Sequence, residues 1–203
     1  MKLHHSPASP FVRKVMVLLH ETGMADRVEI SPAMGTPVDP GTMPVSRNPL
    51  GKIPCFERSD GPALYDSRVI CRYLDDLAGA GLYPTGAGLW DVLTLEATAD
   101  GIMEAAVLIV YEGRTRDPGE RSEAWVSGQR EKIARALAAL EERWMGHLGG
   151  PLHMGQIAVG CALGYLGFRL PDWDWAAERP TLQTWYQGFA ARPSMQETAP
   201  PAA

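Results

Sequence analysis

Three cysteines in 203 residues are too few and too scattered to carry redox or structural-metal chemistry. Cys55, Cys71 and Cys161 form no C-x-x-C pair and have no His ligand set nearby, so they read as reduced packing residues and no metal is expected. Long apolar runs are also missing. None approaches the roughly 18 residues that cross a bilayer, and Met1-Lys2-Leu3-His4-His5 leads into a Ser/Pro stretch instead of a signal-peptide core. No membrane association is therefore expected, and a cytoplasmic location is. The third absence is a Lys/Arg block: net charge is −5 and pI about 5.5, so a phosphate-backbone partner is excluded. The remainder, 45% hydrophobic and 21% charged, is ordinary globular composition of a length that suits one large or two small domains.

What is present is organised around Asn48-Pro49-Leu50-Gly51-Lys52-Ile53-Pro54-Cys55-Phe56. Asn-Pro and Leu-Gly bend the backbone, and the short apolar run after them suits a buried strand. Pro54 cannot donate to a sheet ladder, whereas an X-Pro bond adopts cis at a cost of only about 0.5 to 1 kcal/mol. A cis bond there turns the Ile53 N–H and C=O away from the sheet and leaves an edge for an extended ligand. Eleven residues on, Leu64-Tyr65-Asp66-Ser67 closes another apolar run and opens a helical pattern at Val69, Ile70, Tyr73, Leu74 and Leu77. Asp66 or Ser67 thus stands at a helix N-terminus, where free amides and a short polar side chain suit a carboxylate or simply cap the helix.

In chain order, Lys2–His5 predicts a strand and Ser9-Pro10 a helix start, with Phe11, Val12, Val15, Met16, Leu18 and Leu19 on one face and Arg13, Lys14, His20 and Glu21 off it. Val28–Ile30 is a second strand, parallel to the first, and the Pro/Gly-rich stretch from Ser31 to Arg47 a functional loop. Residues 1–78 form a thioredoxin-like α/β domain and 79–88 a linker, and 89–203 form an all-α domain. In the latter a long helix carries Met103 to Val110. A second, from about Glu120 to Leu148, turns Trp125, Ile133, Leu137, Leu140 and Trp144 inward and Glu141 outward. The stretch from Met154 to Phe168 is apolar all round and belongs at the centre.

Together these segments resemble the bacterial glutathione S-transferase family: Ser9-Pro10-Phe11-Val12-Arg13-Lys14, Asn48 to Pro54, Asp66-Ser67, Ala99-Asp100-Gly101-Ile102-Met103 and Arg192-Pro193-Ser194 all look like its motifs. One departure is that the central helix opens with His153 and Gln156, where the family has a Ser/Thr cap and an Asp; a neutral His predicts a start weaker by about 1 kcal/mol. The resemblance implies a homodimer joined through the Tyr65–Arg72 region and the first long helix. It also implies a glutathione site made of Lys52, Ile53, Pro54, Asp66 and Ser67. Ser67 would hold the γ-glutamyl carboxylate, Ile53 pair with the cysteinyl part, and Lys52 lie near the glycyl end.

A thiol of ordinary pKa, about 8.5, is mostly protonated at pH 7, and lowering it by two units takes about 2.7 kcal/mol, within reach of a hydroxyl donor beside a helix N-terminus. Family members supply that donor as Tyr, Ser or Cys near the end of the first strand. This chain has no Tyr or Cys before Cys55, which leaves Ser9 first and Ser6 second. Ser9 can also be nothing but an N-cap. Arg13 faces either the ligand or solvent, and His5 reads as a strand-end residue. The implied activity joins the glutathione thiolate to a small hydrophobic electrophile held between the long loop and the helices around Met103 to Tyr111, in the service of detoxification. The alternative from another class is a non-catalytic glutathione or hydrophobic-ligand sensor of the same fold.

Overall fold

Ser9 and Pro10 start the first helix as their chemistry dictates. In the computed structural model, which describes residues 1–201, α1 spans Pro10–Glu21. The backbone of Ser9 is extended, and its Oγ accepts from Val12 N at 3.3 Å. The chain divides into two units, Met1–Pro84 with the segment that begins at Pro193, and Thr85–Arg192.

In the first unit, β1 (Lys2–His5) lies between β2 (Glu29–Pro32) and β3 (Cys55–Glu57), parallel to β2 and antiparallel to β3. Leu3 stands opposite both Ile30 and Phe56, and Leu3 and Phe56 are fully buried. The strand expected from Ile53 begins only at Cys55, since Pro54 has no N–H for the ladder. The Leu64 run shrinks to a single bridge, Phe56 N to Leu64 O at 3.0 Å and Leu64 N to Phe56 O at 2.8 Å. The stretch from 33 to 47 holds no helix and folds on itself through Thr42 N to Met34 O at 2.8 Å. Gly41 permits this with φ +49, where a Cβ would lie 2.5 Å from the Met34 oxygen.

The second helix, α2 (Ser67–Ala78), buries Ile70 and Leu74 against α1 but leaves Val69 and Leu77 exposed. Asp75 is buried instead and accepts from Leu82 N and Tyr83 N at 2.8 and 3.0 Å, which fixes the chain beyond the helix. Lys14 corrects the sequence reading: expected on the outer face of α1, it is fully buried. The segment from Pro193, which the sequence groups with the helices before it, packs on α1 in the first unit through α8 (Pro193–Glu197). Its contacts are specific: Arg13 Nη2 donates to Met195 O at 2.9 Å, His20 Nδ1 pairs with Glu197 Oε2 at 2.8 Å, and the Ser194 hydroxyl donates to the Glu21 carboxylate.

The second unit is helical: α3 (Gly88–Thr115), α4 (Glu123–Ala139), α5 (Met145–Leu148), α6 (Met154–Arg169) and α7 (Pro180–Ala190). A wide, π-type turn over Leu140–Trp144 joins α4 to α5. α6 is buried along nearly its whole length against α3, where a Cβ on Gly155 would come within 2.8 Å of the Leu95 side chain. Ile133, Leu137 and Leu140 face inward as their spacing predicts, whereas Trp125, in the first turn of α4, is 48% exposed. Glu141 is recruited rather than left in solvent. Its carboxylate accepts from Thr181 N at 3.1 Å and Leu182 N at 2.6 Å, capping α7, whose own cap residue Arg179 supplies no side-chain bond.

Candidate functional site

Strand register brings the three predicted segments to one end of the small sheet. Because β3 runs antiparallel to β1 with Cys55 opposite His4, Ile53-Pro54 enters the sheet beside the point where β1 runs on into Ser6 and Ser9. The antiparallel Phe56–Leu64 bridge then returns the chain toward that same end, delivering Asp66-Ser67. Sequence spacing alone cannot show this convergence.

The turn that presents Ile53 is clamped by Asn48, which is buried. Asn48 Oδ1 accepts from Leu50 N at 3.1 Å, its Nδ2 donates to Lys52 O at 2.8 Å, and its C=O accepts from Gly51 N at 3.0 Å. Gly51 turns the corner with φ +61, a value open to glycine at no steric cost. The Ile53–Pro54 bond is cis. Among the described residues no hydrogen bond engages the Ile53 N–H or C=O. Lys52 is exposed, and Pro54 is buried.

The Tyr65–Asp66 bond is cis as well. Asp66 is the residue that caps α2, with its side chain accepting from Arg68 N at 3.0 Å and Arg68 Nη2 at 2.9 Å. Burial opposes its charge, but those two bonds and the charges of Arg68 and Lys14 hold the carboxyl below its ordinary range. Ser67 is the first residue of the helix and is 1% exposed. Of the two residues at this helix start, Asp66 is therefore the cap, and the Ser67 hydroxyl is not needed for that role.

Around this end the ionisable groups are settled. His4 Nε2 lies 2.8 Å from Glu57 Oε1, and Arg47 Nε 3.0 Å from Glu57 Oε2, so one carboxylate ties β1 to the loop that leads into the Asn48 turn. The His4 bond is the leading cause that lowers the Glu57 pKa. Burial, then the Glu57 charge, pushes the Cys55 thiol up to about 11 against the opposing Arg47 charge, so Cys55 is no nucleophile. His5, whose pKa burial lowers, ends β1 with its C=O accepting from Ala33 N at 2.8 Å. Arg13 takes neither predicted orientation: it donates to the Met195 carbonyl. Sequence reading missed Glu57 with His4 and Arg47, a trio assembled by strand pairing with no motif of its own.

A small mixed sheet with two helices on it, followed by a unit built only of helices, is the fold of the glutathione transferases. The chain belongs to the glutathione S-transferase family: its N-terminal domain family matches residues 8–77 and its C-terminal domain family residues 123–188. The chain is 36% identical to the uncharacterized GST-like protein YibF of Escherichia coli over the full length of both. Among solved structures, a glutathione transferase family member from Pseudomonas fluorescens Pf-5 with bound glutathione is 49% identical, covers 99% of each chain and superposes with a TM-score of 0.96. A second structure from that organism, with bound S-(propanoic acid)-glutathione, is 48% identical over 100% of both chains with a TM-score of 0.92.

Proposed function

We propose that this protein is a glutathione S-transferase that binds glutathione at the end of the sheet where Ser9, Ile53-Pro54 and Asp66-Ser67 converge, and activates its thiol for attack on a small electrophile. The observation that carries the reading is that convergence, set beside close relatives whose structures contain glutathione and S-(propanoic acid)-glutathione. The Ile53 main chain pairs with the cysteinyl part, as one extended strand pairs with another. Ser67 and the first amides of α2 take the γ-glutamyl carboxylate, and Lys52 faces the glycyl carboxylate. Ser9 uses its oxygen to accept from Val12 N and its proton to donate to the sulfur, two roles one hydroxyl can fill together. The electrophile is held by the second unit, on α3 from Met103 to Tyr111.

Two copies of the chain form the working enzyme, in the cytoplasm. Sedimentation at about twice the 22.1 kDa chain mass is expected at micromolar concentration, and a monomer mass would remove the dimer. Turnover of a generic aryl halide by protein already shown calorimetrically to bind glutathione tests the catalytic reading. Binding without turnover would place the protein in the ligand-sensing class instead.

A further inference from the structure

The C-terminal ends of α3 and α6 gather two cations and two phenols. Tyr111 and Arg114 come from the last turns of α3, and Tyr165 and Arg169 stand one turn apart at the end of α6. The two helices pack side by side from the approach of Gly155 to Leu95 onward, and Arg169, Arg114 and Tyr111 all act electrostatically on the Tyr165 hydroxyl.

Arg169 is held in place without a counter-charge. Its guanidinium carbon stacks 3.9 Å over the Phe168 ring, which itself meets Tyr165 edge-on with centroids 6.4 Å apart. The Arg169 Nε is buried with no hydrogen-bond partner among the described residues. Arg13 and Arg179 share that last feature, but their terminal nitrogens donate to the carbonyls of Met195, Trp175 and Ala134. Nor does a carboxylate neutralise the cluster. Glu112, one residue behind Tyr111, is spent on Arg116 Nε at 3.0 Å and Ser122 N at 2.9 Å. Among the described residues no carboxylate pairs with Arg114 or Arg169. In a chain of net charge −5, a pair of arginines left unpaired is a local reversal of sign.

We infer that Tyr111, Arg114, Tyr165 and Arg169 form a carboxylate-binding subsite in the second unit, so that the electrophile this enzyme takes is an unsaturated or aromatic acid rather than a neutral hydrocarbon halide. Guanidinium forks match a carboxylate in two parallel bonds, and they hold it more strongly where a ring face has already fixed them. Burial keeps the Tyr165 phenol protonated well past neutrality despite the two cations. A protonated phenol keeps its O–H to donate, so Tyr165 adds a hydrogen bond to a carboxylate held by the arginines. Phe168 and Tyr165 supply the apolar wall for the rest of such a molecule. This deepens the glutathione-transferase reading and rests on it.

Binding of trans-cinnamate and of its neutral isostere cinnamamide to the full chain, by calorimetry at saturating glutathione, tests the subsite. Cinnamate is expected to bind about tenfold or more tighter than the amide. Arg169→Met and Arg114→Met should each remove most of that preference without changing amide affinity. Arg169→Lys, which keeps the charge, should retain part of it, and Arg116→Met, whose arginine already has Glu112, should retain all of it. Arginines that only complement the negative ends of α3 and α6 would give a different result: equal affinity for acid and amide, or a preference that survives in the Arg114/Arg169 double variant, and either overturns the inference. Glutathione affinity measured on the same samples keeps the two claims apart. Its absence sinks the transferase reading, while its presence with no acid preference sinks only the subsite.

Discussion

Ser67 and Asp66 show how a residue pair can be divided between folding and ligand binding. A helix start needs one side-chain acceptor for its free amides, and Asp66 supplies it. The neighbouring Ser67 hydroxyl is thereby spare. If it holds the ligand carboxylate, Ser67→Ala should weaken glutathione binding by roughly 1 to 3 kcal/mol, the worth of a hydrogen bond to a charged group, with the melting temperature nearly kept. Unchanged calorimetric affinity in a folded variant would make Ser67 a packing residue. Lys14 is the residue the sequence misplaced most. Helical periodicity weighs only the faces of one element, so a lysine reads as solvent-facing, whereas Lys14 is fully buried with its charge felt by Asp66 at the start of α2. Trp125 fails in the opposite sense: it falls on the right stripe, but the stripe is packed only from Gln129 onward.

Among the elements, α6 opens with His153 and Gln156 where the resemblance implies a Ser/Thr cap and an Asp, and the pair nevertheless closes a full cap. His153 Nδ1 accepts from Gln156 N at 3.3 Å, Gln156 Oε1 accepts from His153 N at 2.9 Å, and Gln156 Nε2 reaches on to the carbonyls of Leu148 and Gly150 at 2.8 and 3.1 Å. The capping box is complete, with the stronger half made by glutamine. It requires a neutral imidazole, because a protonated Nδ1 cannot accept. Burial lowers the His153 pKa from 6.5, so the folded state binds fewer protons there than the unfolded chain. Its contribution is therefore whole above the unfolded value and is lost as pH falls through 6.5 toward the folded one. His153→Ser, a cap that does not titrate, should remove that loss. Between pH 7.5 and 5.5 the wild type is expected to lose more stability than the variant, by about 1 kcal/mol or less, in paired denaturant melts. Equal losses would show that His153 does not titrate against the fold. The positions of this cap, of the Ser9-Pro10 start and of the Asn48–Pro54 turn were legible because caps and turns are local. The role of Glu141 at α7 was not, since its partners lie 40 and 41 residues away.

At the scale of the molecule, composition and motif order were enough for two units, one α/β and one helical. They were not enough for the return of α8 to the first unit, which depends on Arg13, His20 and Glu21 meeting a segment over 170 residues later. The candidate site was legible as three motifs; their meeting at one sheet end came from the register of β3 and the Leu64 bridge. The electropositive cluster on α3 and α6 had no sequence signal, since its two pairs lie about fifty residues apart and neither has a motif. What the whole arrangement is proposed to do is hold glutathione with its sulfur at the Ser9 hydroxyl. The direct measurement is the ultraviolet thiolate absorbance of bound glutathione as a function of pH, in the wild type and in Ser9→Ala. The account predicts a bound thiol ionised at neutral pH in the wild type. In the variant the titration should move to higher pH and turnover fall, with glutathione affinity nearly kept, the signature of an interaction made to the reactive form alone. A variant that loses about 1 kcal/mol of stability while the thiol titrates as before would reduce Ser9 to the cap of α1 and contradict it.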